Sequence, residues 1–176
     1  KQIAVATYGQ ALSEKFGRKI KAQVTTDEYK AIFPDANIRA DACTSRNIET
    51  ETRGIYLATS IGGQLTGSGA DLMVVDDPIK DRQEAESETV KEAMWDWWTS
   101  TARTRIMPGG AIVVVQTRWI EDDLAGRLLA NDDSGEWLEI NFPALDGDTP
   151  LWPEFYDLDS LLSIRKDVGE YEFNAL

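Results

Sequence analysis

The sequence contains no histidine and only one cysteine, Cys43, among its 176 residues. Without histidine, neither a histidine-activated nucleophile nor a histidine metal site can form. A lone cysteine excludes an internal disulfide and favours a reducing, intracellular setting. Any metal site must therefore use carboxylate oxygens, which are the ligands of Mg²⁺, Mn²⁺ and Ca²⁺.

Long apolar runs and positive charge are also scarce. The longest strictly apolar run is Ala111 to Val115, far too short for a membrane span. Lys and Arg number 18 against 31 Asp and Glu, which gives a net charge of -13. Such a surface does not by itself attract nucleic acid or anionic membrane, although a local basic strip or a partner subunit could supply the attraction.

Short apolar runs alternate with helical patterns, which predicts an α/β fold with a mostly parallel sheet flanked by helices. The predicted strands are Ile3–Tyr8, Ile55–Ile61, Leu72–Val75, Ile112–Gln116 and Leu138–Phe142. The predicted helices are Gln10–Val24, a short helix capped by Thr26 and ended by Pro34, Gln83–Arg105 with "MPGG" as its end, Glu121–Ala130 and Leu158–Lys166. Residues 35–53 are polar and are predicted to be irregular.

Two aspartates, Asp76 and Asp77, directly follow the apolar run Leu72–Val75. Asp-Asp-Pro is good turn material, so the pair could simply cap a turn before Pro78. A buried strand that ends in two acids is also the pattern with which many NTPases hold Mg²⁺ and place a base beside the attacking water. Ligands bind beyond the carboxyl ends of strands in open α/β sheets, so the pattern supports both interpretations.

A second apolar run, Ile112 to Val115, is followed directly by Gln116, Thr117 and Arg118. These residues are predicted to lie at the same carboxyl edge of the sheet as Asp76. Strand ends present side chains at the ligand crevice, so these residues are functional candidates. The acidic residues that follow, 121–123, are expected mainly to favour the N-terminus of the next helix.

The glycine-rich segment "GGQLTGSG" has the G-x-x-x-x-G spacing of a P-loop but not its chemistry. Ser68 stands where lysine is needed, and Gly69 where Ser or Thr is needed. A strand, rather than a helix, is predicted to follow. The segment is therefore expected to be a flexible connection.

The tryptophan-rich segment "WDWWTSTARTR" offers core residues and two arginines. Trp95, Trp98 and Ala102 fall at helical spacing and are expected in the core, with base stacking as the alternative. Arg103 and Arg105 suit a helix C-terminus, and phosphate contact is the alternative.

Taken together, these motifs resemble the large subunit of tailed-phage terminases, the motors that package viral DNA into procapsids. The resemblance runs from "GGQLTGSGAD" through "LMVVDDPIKD", "WDWWTSTARTRIMPGG" and "VVVQTRWIEDDLAGRLL" to "LWPE" and "YEFNAL". It implies a P-loop NTPase-like core of the ASCE type that uses Mg²⁺ and ATP. It also implies, as partners, double-stranded viral DNA, a portal protein, a small terminase subunit and further copies in a ring, without a membrane, in the cytoplasm of the infected bacterial host.

By the same resemblance, Asp76 is the Walker B aspartate that organises Mg²⁺ and nucleotide, and Asp77 takes the place of the catalytic acidic residue, which is often glutamate. Thr117, with Gln116 and Arg118, matches the motif that couples hydrolysis to DNA movement. In the family, an arginine that is a candidate finger often stands where this chain has Ser68.

The resemblance further implies that residues 1–176 are part of an ATPase domain, without its P-loop and without the C-terminal nuclease domain. The strand that ends at Thr117 should then lie parallel to the Asp76 strand, with the Ile3–Tyr8 strand on the other side. Ile112–Gln116 should be an unpaired apolar edge, because the P-loop strand would lie between it and Leu138–Phe142.

Two other functions are compatible with the residues alone. One is a two-metal nuclease that uses Asp71, Asp76, Asp77 and Asp123, although Asp71 lies at the opposite end of the strand from Asp76. The other is a non-catalytic acidic interaction domain.

Overall fold

The structure, a computed structural model, describes residues 1–63, 65, 67 and 69–175. Ser68, the position of the expected finger arginine, lies outside the described residues. The chain forms two compact units, Lys1–Gln116 and Thr117–Leu176. Among the described residues, no helix has the length and apolar character needed to cross a membrane.

The first unit is an α/β unit built on a six-stranded mixed sheet with the order β2-β3-β4-β1-β5-β6. The strands are β1 (Gln2–Thr7), β2 (Ile38–Cys43), β3 (Asn47–Thr50), β4 (Ile55–Ser60), β5 (Ala70–Asp76) and β6 (Ile106–Val115). The central strands β4, β1, β5 and β6 are parallel, whereas β2 and β3 add antiparallel pairs at one side. The mostly parallel α/β sheet predicted from the sequence is confirmed.

The predicted strand neighbours are confirmed as well. β5 pairs with β1 on one side, with Thr7 opposite Asp76, and with β6 on the other, with Val115 opposite Asp76. Within the described part of the chain, β6 is the edge of the sheet. Val113 and Val115 on this edge strand are 44% and 51% exposed, so the edge is apolar as predicted.

The core of the first unit combines apolar faces from the sheet and from α1 (Gln10–Val24). Val5, Ile48, Tyr56 and Ala58 are buried together, and Ile20 and Val24 of α1 pack against the cluster with other partly buried residues. Helix α1 also approaches the turn before β3 so closely that Gly17 leaves no room for a side chain: a Cβ there would lie 1.7 Å from the Ser45 carbonyl oxygen.

The helix ends follow the capping signals only in part. Helix α2 (Asp27–Ile32) begins as predicted, because the Thr26 side chain accepts a hydrogen bond from the Tyr29 amide. The predicted long helix 83–105 is instead broken: α3 (Arg82–Ala85) and α4 (Glu88–Trp97) are separate, and one π-helical and one 3-10 turn continue to Arg105. Trp98 and Ala102 are buried as predicted, and Trp95 is half-buried.

Two further predictions for the first unit were wrong. Residues 35–53 are not irregular, because β2 and β3 form an antiparallel pair there. The "MPGG" segment does not end a helix but lies within β6, where the register with β5 shifts between Ala70 and Leu72. This irregularity accommodates Pro108 and Gly109, whose φ is 75°.

The longer elements of the second unit are helices. It contains α5 (Leu124–Ala130), the two-residue strands β7 (Leu145–Asp146) and β8 (Thr149–Pro150), α6 (Leu158–Val168) and α7 (Glu170–Ala175). Helix α5 begins three residues later than predicted, and α6 begins as predicted. The predicted strand Leu138–Phe142 is wrong: these residues have no strand partner, and Leu138 and Phe142 are 82% and 72% exposed.

Candidate functional site

Asp76 is the last residue of β5 and lies at the carboxyl edge of the parallel strands. Two residues back, Val74 packs against the core cluster, while Val75 is fully buried on the opposite face. Burial, and then the charge of Asp77, raises the pKa of the Asp76 carboxyl. Among the described residues, the Asp76 carboxylate has no hydrogen-bond donor or cation as a partner. The Asp76 carboxylate is therefore a half-buried acidic group whose oxygens can bind a ligand.

Asp77 has a left-handed backbone, with φ of 42°. Its amide donates to the Val115 carbonyl at 2.9 Å, and its carbonyl accepts from the Tyr8 amide at 3.1 Å. The residue is thus tied to the ends of β6 and β1 at once. Asp and Asn tolerate this conformation better than most residues, but it still costs on the order of 1 kcal/mol, which these two bonds help to offset. The chain bends at Pro78 and Ile79, directly after Asp77, and the left-handed backbone of Asp77 sets the direction in which its side chain leaves the sheet.

Gln116 follows Val115, the residue opposite Asp76, and is the last residue of the first unit. Its Oε1 atom is buried and has no hydrogen-bond partner among the described residues. Buried amide oxygens in native proteins nearly always have a partner, so this atom is available to accept a bond from a ligand or a water molecule. Asp76 and Gln116 thus place oxygen ligands at the ends of neighbouring strands.

Thr117 and Arg118 begin the second unit, where Arg118 is held by internal contacts. Its Nε donates to Asp123 Oδ2 at 2.8 Å, and its Nη1 lies 3.7 Å from Glu139 Oε1. Asp123 also accepts from the Gly126 amide at 2.9 Å and caps α5, as its predicted role requires. The contacts of Arg118 therefore stabilise the turn that precedes α5.

The acidic residues of the proposed nuclease do not form a metal cluster. Asp71 lies at the start of β5 and accepts from the Gln2 amide at 2.6 Å and from Lys1 Nζ at 3.2 Å. Asp123 is 1% exposed, and its two oxygens bind Gly126 and Arg118. No group of three or more acidic or cysteine side chains suited to a metal occurs among the described residues. The geometry contradicts this four-aspartate site.

A further polar residue follows β1 at the same edge and was not predicted as a site residue. Gln10, at the start of α1, has a buried Nε2 with no partner among the described residues. The rule that pointed to Asp76 and Gln116, that polar residues follow a strand at the ligand edge, applies equally to "TYGQ". In the second unit, Tyr171 donates a hydrogen bond to the turn that contains Arg118. No local sequence pattern predicts this contact.

The chain matches one family in comparisons with known proteins. The sequence model of the family described as terminase large subunit, T4likevirus-type, N-terminal, matches residues 2–154. A search of curated proteins found no match.

Proposed function

The chain belongs to the T4likevirus-type terminase large subunit family, of which it matches the N-terminal part, and on this premise we propose that it forms part of the ATPase of a viral DNA-packaging motor. The observation that carries the proposal is the parallel pair β5–β6, which brings Asp76 and Gln116 to one carboxyl edge. Ligands of open α/β sheets bind beyond this edge. We propose a P-loop NTPase-like core of the ASCE type.

In this proposal, the oxygens at this edge take part in binding a magnesium-nucleotide complex. Asp76 is the metal-binding residue in this proposal, and Gln116 assists at the nucleotide through its unpartnered Oε1. A single carboxylate is a small ligand set, but Mg²⁺ usually keeps several waters and takes phosphate oxygens as its other ligands. A bound cation would also stabilise the charged form of Asp76, which burial and then the charge of Asp77 disfavour.

Asp77 and Thr117 act on the reaction in this proposal. Asp77 orients the water that attacks the γ-phosphate, and its backbone ties to Tyr8 and Val115 hold it in place. Thr117, which follows Gln116 directly, links nucleotide hydrolysis to DNA movement. Arg118 supports Thr117 through its ion pair with Asp123.

The phosphate cradle would come from a part of the protein outside these 176 residues. The G-x-x-x-x-G segment has no lysine, and no other stretch matches a P-loop. The open edge of β6, with exposed Val113 and Val115, is the place where a further strand could pair. In the motor, the proposed partners are double-stranded viral DNA, a portal protein, a small terminase subunit and further copies in a ring, in the cytoplasm of the infected host.

The proposal is tested in the full-length protein with Asp77→Asn, because asparagine tolerates the left-handed backbone. We expect ATP binding to stay within about threefold of wild type, while DNA-stimulated ATPase falls roughly 10²- to 10⁴-fold, the range for loss of a positioned acid or base. Asp76→Ala should instead weaken magnesium-dependent nucleotide binding as well.

The matched control is Asp71→Asn, a change at the opposite end of the same strand. It should leave turnover near the wild-type level, since Asp71 does not lie at the ligand edge. The 176-residue chain alone should hydrolyse ATP negligibly. Wild-type turnover in Asp77→Asn would refute the role given to Asp77, and unchanged behaviour of Asp76→Ala would favour a non-catalytic acidic domain.

A further inference from the structure

A side chain of helix α7 reaches the segment that follows Thr117. The Tyr171 hydroxyl donates a hydrogen bond to the Trp119 carbonyl oxygen at 2.6 Å. The two residues are 52 positions apart in the chain. Trp119 is the neighbour of Arg118 and lies two residues after Thr117. A residue from the end of the second unit therefore fixes the backbone of the segment to which the coupling role is assigned.

Tyr171 is itself held in position. Gly169, with φ of 86°, separates α6 from α7 and lets the chain reverse. Arg165 of α6 binds Glu170 of α7 at 2.7 Å and lies 5.6 Å from the centre of the Phe173 ring. These contacts hold α7 against α6. The position of the Tyr171 hydroxyl therefore depends on both helices.

The turn from Thr117 to Asp123 is also anchored by its own residues and by nearby segments of the second unit. Asp123 holds Arg118 at 2.8 Å, and the Arg118 Nη2 reaches the Glu121 carbonyl at 3.4 Å. Both contacts lie within the turn itself, whereas Arg118 Nη1 also lies 3.7 Å from Glu139 Oε1 and Arg127 of α5 binds Asp122 at 2.9 Å. The bond from Tyr171 comes instead from a distant element, so it fixes the turn relative to α6 and α7.

We propose that Tyr171 is a positioning residue: its hydrogen bond to Trp119 sets the place of Thr117 and Arg118, and couples the helix pair α6–α7 to the hydrolysis step. This role rests on the proposed function of Thr117. A shift of α7 moves the Trp119 carbonyl and, through two peptide units, the Thr117 side chain. Displacements of about 1 Å in a positioned group change turnover substantially.

The test uses Tyr171→Phe, which removes only the hydroxyl. In the 176-residue chain, amide hydrogen exchange in residues 118–121 should become about two- to twelvefold faster, the range that corresponds to the net stabilisation by one hydrogen bond. The melting temperature should stay close to that of wild type, because the hydroxyl is on an exposed residue. In the full-length protein, kcat for DNA-stimulated ATP hydrolysis should fall on the order of tenfold, with KM for ATP nearly unchanged.

Tyr156→Phe is the matched control. Tyr156 is 46% exposed, close to the 42% of Tyr171, and its hydroxyl has no hydrogen-bond partner among the described residues. It should change neither hydrogen exchange in residues 118–121 nor kcat.

Three results would overturn the proposal: unchanged exchange in Tyr171→Phe, unchanged kcat in an active motor, or a fall in kcat that accompanies an equal fall in global stability. If the wild-type full-length protein does not hydrolyse ATP, the function proposed for the chain fails. Hydrogen exchange then still decides whether Tyr171 positions the turn.

Discussion

At the scale of single residues, the edge of the sheet contains a charge that the fold itself does not compensate. Asp76 lies at the end of a strand with buried residues on both faces, and its carboxylate has no described partner. Asp71, at the start of the same strand, is bound by Gln2 and Lys1. One strand thus has a carboxylate that stabilises the fold and a carboxylate that destabilises it at neutral pH.

We predict that Asp76→Asn stabilises the isolated chain at about pH 7. Burial raises the pKa of Asp76, so the folded state binds the proton more tightly than the unfolded state does. Stability is therefore lost as pH rises through the folded pKa, and asparagine avoids that loss. The gain in melting temperature should shrink toward about pH 3, where Asp76 is itself neutral.

Asp71→Asn is the control, because we expect it to change the melting temperature at neutral pH in the opposite direction. The Gln2 amide, and then Lys1, hold the pKa of Asp71 below its usual value. Its contribution to stability is present above the unfolded pKa and disappears as pH falls through the folded pKa. This variant should lower the melting temperature at about pH 7 and match wild type in strong acid. If both variants shift the melting temperature in the same direction, the opposite effects on stability assigned to Asp76 and Asp71 are wrong.

Part of the candidate site could be predicted from residues alone. The neighbouring positions of Asp76 and Gln116 follow from the rule that parallel strands end at one edge. The left-handed backbone of Asp77 could not be predicted, because its two hydrogen bonds come from strands far apart in the sequence. The ion pair of Arg118 with Asp123 was also missed, since capping of α5 was the only role assigned to the acidic residues.

At the scale of elements, α1 and α2 were predicted within a residue because their signals are local. The strands β2 and β3 were missed, since "IRADAC" has few residues with high strand propensity and is held by its antiparallel partner. The start of β6 was missed for a related reason. Pro108 and Gly109 normally end an element, and only pairing with β5 keeps them in a strand.

We predict that Gly17→Ala destabilises the chain by about 1–3 kcal/mol, although alanine favours helices. Its Cβ would lie 1.7 Å from the Ser45 carbonyl oxygen, so α1 must move away from the turn before β3. Urea unfolding followed by circular dichroism measures the change.

Gly9→Ala is the matched control at the start of the same helix. A Cβ at Gly9 meets no atom within 4 Å, and its φ of -149° suits any residue. We expect a loss of only a few tenths of a kcal/mol there, from the weaker N-cap. Equal stability of Gly17→Ala and wild type would show that α1 does not contact that turn.

At the scale of the whole molecule, the open edge of β6 should determine how copies of the chain associate. We predict that Val113→Lys weakens concentration-dependent self-association roughly tenfold, because an edge lysine disfavours strand pairing. Val113 is 44% exposed on the edge strand. Sedimentation velocity over a concentration series provides the measurement.

Ile32→Lys is the control, because it changes the net charge by the same amount. Ile32 is 69% exposed and lies on α2 rather than on a strand. It should leave self-association nearly unchanged. If both variants weaken association equally, the cause is net charge rather than the β6 edge.

The central place of β1 has a consequence for biosynthesis. Gln2 pairs with Ile55 and Ile3 pairs with Leu72, so both neighbours of this strand are translated more than fifty residues after it. At typical elongation rates of about 5–20 residues per second, β4 and β5 are synthesised several seconds after β1. During that interval its apolar residues are unprotected, and nascent chains of this sequence are expected to bind chaperones before residue 76 is made.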